Sequence, residues 1–116
     1  MADDLYLVFS EPPASVPREE YDRWYAEHLR ENLQTPGFHA GRRFALDHTV
    51  RQDGADQFSH LALYETSGSI AELRAALDRR RESGEIVLPE WFGQIRFSSW
   101  HCRGVDGPVS GRPAGD

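Results

Sequence analysis

The stretch from Pro17 to Thr35 constrains this chain most, because it repeats with a helical period yet puts polar side chains where a structural helix would bury leucine. At about 100° per residue, Tyr21, Trp24, Tyr25, His28, Leu29, Asn32 and Leu33 share one arc, with His28 and Asn32 near its middle. An imidazole or carboxamide buried without a partner costs on the order of 1 to 3 kcal/mol. The helix therefore has polar partners in the interior or lines a pocket. Pro36-Gly37-Phe38 follows at once, ending the helix and launching an extended segment.

The elements around this helix set the fold class. Leu5 to Ser10 reads as a strand stopped by Pro12-Pro13. The helix starts near Ser15 to Pro17, with Glu19 and Glu20 complementing the positive end of its dipole. Phe38 to His48 alternates as a strand with Phe38, Ala40, Arg42, Phe44 and Leu46 on one side, and Asp53-Gly54 makes the turn. Phe58 to Glu65 returns, with Phe58, His60, Ala62 and Tyr64 on one face and Leu61 and Leu63 on the other. Ser69 and Glu72 form a capping box for a second helix, which closes with Arg79, Arg80 and Arg81 and then Gly84. Glu85 to Phe92 carries no assignable period, and Gly93 to Arg103 reads as a last strand. Gly104 to Asp116, rich in glycine and proline, is expected to be a disordered tail beyond a single domain of residues 1–103.

The order strand, helix, strand, strand, helix, strand predicts an α+β, ferredoxin-like βαββαβ domain: a four-stranded antiparallel sheet with two helices on one face. The other face would carry residues such as Phe44, Tyr64, Leu7 and Phe97, on one register or the other, and is too apolar to stay wet. A partner subunit is its natural cover.

Composition removes several function classes. The chain of 116 residues holds one domain, and its net charge of -6 gives no footprint for nucleic acid or an anionic membrane. The acidic N-terminus and the short apolar run Leu5 to Phe9 fit neither a signal peptide nor a membrane span, so a cytoplasmic location is expected. Cys102 is the single cysteine, which excludes an internal disulfide and a cysteine-built metal site. All 13 basic residues are arginine, which excludes Schiff-base chemistry, lysine-anchored pyridoxal phosphate and a P-loop. No His/Asp/Glu spacing marks a metal site, and no cofactor is expected.

Trp24-Tyr25-Ala26-Glu27-His28-Leu29, Pro36-Gly37-Phe38, Arg42-Arg43-Phe44 and His60-Leu61-Ala62-Leu63-Tyr64-Glu65 together resemble the EthD-like members of the dimeric α+β barrel superfamily. The resemblance spans roughly Leu5 to Arg103. It implies a homodimer with facing sheets and a pocket in each protomer. It also implies a place among cofactor-free monooxygenases of quinol-like substrates, polyketide cyclases, muconolactone isomerases and haem-handling enzymes. The family's helix histidine falls on His28, and the proximal-histidine context of the haem-degrading members is missing.

His28 is the first candidate catalytic residue, since an imidazole of ordinary pKa about 6.5 moves protons near neutral pH, and Asn32 one turn on would orient a substrate oxygen. The plain structural alternatives are a histidine capping nearby backbone and an asparagine bonded to the loop after the helix. His60 is the second candidate proton-transfer group and Arg42 a fixed cation for a carboxylate, phenolate or enolate; the alternative is an ion pair across the dimer or to Glu65. Tyr6, Tyr64, Trp91 and Trp100 would supply an aromatic wall, or simply core, and Trp24 and Tyr25 beside His28 are further substrate-binding candidates, as are Tyr6, Tyr64 and Trp100 of the wall. The leading expectation is a homodimeric enzyme performing cofactor-independent proton transfer on an aromatic or polyketide-like carbonyl compound, as a cyclase, isomerase or lyase. The alternatives are a cofactor-free monooxygenase of phenols or quinols, and a non-catalytic ligand-binding or stress-response protein.

Overall fold

The computed structural model describes residues 4–47 and 58–112. Its aliphatic and aromatic residues draw β1 out over Asp4–Glu11, up to the Pro12-Pro13 stop. Pro17 caps α1, Arg18–Asn32, and Glu19 and Glu20 lie in its first turn. The helical pattern through Thr35 outlasts the α ladder: Gln34 N–H donates to the Glu31 carbonyl and Thr35 N–H to that of Asn32, the tighter bonds of a closing turn. β2 (Phe38–Ala45), β3 (His60–Thr66), α2 (Ile70–Glu82) and β4 (Arg96–Arg103) follow. A short 3₁₀ turn, Glu90–Gln94, sits within the stretch that has no sequence period. Ser69 Oγ accepts the Glu72 N–H at 3.1 Å, and Gly84 takes φ +83° just beyond α2, as the capping pattern predicts. The Asp53-Gly54 turn and His48 lie outside the described residues, as do the last four positions of the tail. Residues 104–112 are exposed and form neither helix nor strand.

The sheet runs β2-β3-β1-β4 with every neighbouring pair antiparallel, which is the ferredoxin-like arrangement. Tyr6 stands opposite Tyr64 and His101, Val8 opposite Ala62 and Ser99, and Ser10 opposite His60 and Phe97. These residues face the helices, where Ala62, Tyr64 and His60 are buried. The core joins Tyr21 and Tyr25 of α1, Leu73 and Leu77 of α2, Phe38 and Tyr64 of the sheet, and Ile86 and Ile95 of the α2–β4 connection. Leu5, Leu7, Phe9, Leu61 and Leu63 point the other way. Among the described residues no helix is long and apolar enough to cross a membrane.

β2 departs from the simple alternation expected of it. Phe38 pairs with Thr66 but Ala40 pairs with Glu65, so His39 is an extra residue and the parity inverts behind it. Phe38 is therefore in the core, while Ala40, Arg42 and Phe44 face away from the helices and Gly41 and Arg43 face toward them. Tyr64 and Phe97 likewise belong to the helix side of the sheet, and Leu7 and Phe44 to the uncovered side.

Gly37, at the turn between α1 and β2, has φ +93°, and a Cβ there would run into the Leu73 side chain and lie 2.9 Å from the Ser67 carbonyl oxygen. Both the backbone and the space demand glycine. Gly37→Ala is expected to cost about 2 kcal/mol, read as a lower urea midpoint at unchanged slope.

Candidate functional site

The spacing that lays Trp24, Tyr25, His28 and Asn32 on one face of α1 carries His28 into the interior, where it is 4 % exposed. Trp24 stacks on its ring at 4.7 Å and 20°, and Tyr25 and Phe92 meet it edge-on at 5.6 and 6.1 Å. His28 Nδ1 is buried with no hydrogen-bond partner. The Glu31 carboxylate, 3.7 Å away and about a third exposed, is too distant to accept from it and too wet to offset its burial. Burial, and then the charge of Arg81, push the His28 pKa down to about 4, so the ring is neutral at neutral pH.

Beside His28 lies a cavity of about 220 Å³ between helices and sheet. α1 contributes Tyr25, His28 and Asn32; the sheet contributes Tyr6, Val8, Phe38, Tyr64, Phe97 and Ser99; α2 contributes Arg74, Leu77 and Arg81; Phe92 closes one side. Asn32 Nδ2 donates to Tyr64 Oη at 3.0 Å, which leaves Asn32 Oδ1 unpartnered. Burial pushes the Tyr64 phenol up to about 12 and Tyr25 well above its usual 10, so both remain protonated hydrogen-bonding groups. Arg81 lies over the Phe92 ring at 5.8 Å, and its Nε is also buried without a partner. Larger depressions, of about 690 and 310 Å³, run along α2 and Pro36. Neither is lined by a residue with a buried, unpartnered polar atom, whereas the smaller cavity has three such residues, His28, Asn32 and Arg81.

A second polar cluster surrounds His60. Its Nε2 lies 3.1 Å from Asp22 Oδ1 and its Nδ1 2.8 Å from Ser59 Oγ, while Tyr21 packs on the ring edge-on at 5.0 Å. Arg43 donates to Asp22 Oδ1 at 2.8 Å and to the Asp22 carbonyl at 3.2 Å. Partial burial works to raise the Asp22 pKa, but the hydrogen bond and charge of Arg43, with those of His60, hold it below the usual carboxylate value. Burial lowers the His60 pKa, aided by Arg43 and opposed by Asp22. A shallow depression of about 270 Å³ borders this cluster. Since both imidazole nitrogens and the Arg43 fork are already engaged, the arrangement ties α1 to β2 and β3.

Of the residues singled out in the sequence, Tyr6, Tyr25, His28, Asn32 and Tyr64 therefore meet around one cavity, and Trp24 backs His28. His60 stands in the Asp22 cluster instead. Arg42 and Trp100 lie on the uncovered side of the sheet, Arg42 over the Phe44 ring at 4.9 Å and Trp100 61 % exposed, so neither reaches the cavity. The bulge at His39 is the physical reason that Arg43, and not Arg42, turns inward. Arg74, Arg81 and Phe92 were not foreseen as cavity residues. For the arginines a signal existed: both continue the inner arc of α2, at three residues before and four after Leu77.

The sheet order and the paired helices define a small ferredoxin-like α+β protein, with an aromatic-lined cavity between helices and sheet. A crystal structure from Shewanella loihica PV-4, described as a "putative monooxygenase", has the same fold, with a TM-score of 0.59 and 16 % identity over 92 % of this chain and 99 % of that one. At such identity the similarity speaks for the fold alone. No protein-family model matches the sequence, and no curated protein matches it either.

Proposed function

We propose that the protein is an EthD-like enzyme of the dimeric α+β barrel superfamily, which performs cofactor-independent proton transfer on a small aromatic carbonyl compound in the cavity beside His28. The observation that carries this reading is the neutral His28 ring, with an unpartnered buried nitrogen, on the wall of a cavity large enough for an organic molecule. A neutral imidazole takes a proton from the substrate, and the anion left behind is met by Arg81 and by the Tyr64 hydroxyl, which donates to it while accepting from Asn32 Nδ2. The proton returns at another atom in an isomerisation or cyclisation, or leaves with a departing group in an elimination. With a pKa near 4 in the free protein, His28 becomes an effective base only as negative charge develops next to it. The reading thus favours substrates whose protons are already acidic, such as those on carbon between a carbonyl and an aromatic ring.

A second reading, a cofactor-free monooxygenase of phenols or quinols, starts from the same deprotonation and is supported by the description of the structural neighbour. Incubation with aryl ketones and quinols in deuterated water, followed by NMR and an oxygen electrode, separates the possibilities. Deuterium uptake without oxygen consumption is the expected result, and oxygen consumption selects the second reading. Unchanged ligand recovered after long incubation would replace both with a binding protein. The same reading places the protein in the cytoplasm as a homodimer. The second copy covers the sheet face carrying Leu5, Leu7, Phe9, Leu61, Leu63 and Trp100, which is too apolar to favour solvent.

A further inference from the structure

Acidic residues outnumber arginines 19 to 13 in this chain, yet the wall of the His28 cavity holds two arginines and no carboxylate. No ion pair among the described residues involves Arg74, and Arg81 comes no closer than 3.8 Å to the Asp78 carboxylate. Arg81 Nε is buried and lacks an acceptor, as His28 Nδ1, on a ring 4 % exposed, lacks a partner. Arg74 is exposed and Arg81 half-buried at the edge of a cavity whose lining offers them no carboxylate; such a rim favours an anionic guest, and a guanidinium takes a carboxylate through paired hydrogen bonds. After burial, the Arg81 charge helps to keep His28 neutral, and an anion held on Arg81 would offset that charge.

Size narrows the guest further. About 220 Å³ exceeds the ~150 Å³ that suffices for benzene and falls short of the ~300 to 1,000 Å³ of pockets for drug-sized ligands. One ring or two fused rings fit, with aromatic walls from Phe38, Phe92 and Phe97; a four-ring polyketide does not. Resting on the reading of this cavity as the substrate site, we propose that its ligand is a one- or two-ring aromatic carboxylate, with the carboxylate on Arg81 and Arg74 and the ring's oxygen substituent toward His28 and Asn32.

The test is a fluorescence titration of the full chain with 2-naphthoate and with the neutral 2-naphthamide of the same shape. The expected result is binding of the acid at least ~10-fold tighter than the amide, with the ratio collapsing toward one in Arg81→Gln and falling in Arg74→Gln, while amide affinity stays constant. Arg81→Lys should retain part of the preference. Equal affinity for both probes, no naphthoate binding by the wild-type chain, or a ratio insensitive to both arginine substitutions overturns the proposal. Should Arg81→Gln not fold, the wild-type ratio and Arg74→Gln decide. Naphthoate preference in a protein that exchanges no substrate protons would sink the enzymatic reading and leave this one standing. Proton exchange on neutral ketones without any preference for acids would do the reverse.

Discussion

Replacing His28 by Ala is expected to lower turnover by about 10²-fold or more once a substrate is in hand, with the loss in kcat and little change in KM. The ring is the one imidazole on the cavity lining, which holds no carboxylate, and it is kept in the proton-accepting form at neutral pH, while Tyr25 and Tyr64 are pushed above their usual range and the arginines stay charged. A buried nitrogen with no partner is a standing cost to the fold, so His28→Leu should keep or raise the melting temperature while removing activity. A histidine serving structure alone would give the opposite pair of results: stability falls and turnover survives. Turnover within a few fold of wild type in a folded His28→Ala protein rejects His28 as the proton carrier.

The second large effect is a loss of stability in mild acid. With the folded-state pKa of His28 at about 4 and the unfolded value near 6.5, the unfolded chain binds a proton that the native ring refuses anywhere between these limits. The stability tied to His28 is therefore complete above pH 6.5 and declines as pH falls toward 4, by about 3 kcal/mol in all. His60, whose pKa is also lowered, contributes in the same direction, and Asp22 adds a loss at still lower pH as its carboxyl protonates. His28→Gln isolates the effect, since it keeps a polar group of similar size and removes the titration. Urea unfolding at a series of pH values should show the wild-type curve falling more steeply than the variant's between pH 6.5 and 4. Parallel curves would mean that the ring is solvated and carries no depressed pKa.

Much of this architecture could be read before any coordinates. The arc from Tyr21 to Asn32 and the Ser69 cap are local patterns with one physical outcome each, and both elements form as the patterns require. What escaped depends on relations between elements. Glu85 to Phe92 has no period because its role is to drop single side chains, Ile86 and then Trp91 and Phe92, onto a surface already made by α1 and α2. Arg81 suits the end of a helix dipole in one dimension, and its place beside His28 follows only from how α2 lies against α1. Trp100 has the chemistry of a pocket wall, but the parity of β4 turns it outward.

One inserted residue, His39, governs which of two adjacent arginines enters the interior. Anyone transferring roles between related sequences by column position would, without a gap there, assign the inward guanidinium to the wrong member of the Arg42-Arg43 pair. Comparison across this fold is better counted backward from Tyr64, whose neighbour on β2 is Gly41, than forward from the helix exit.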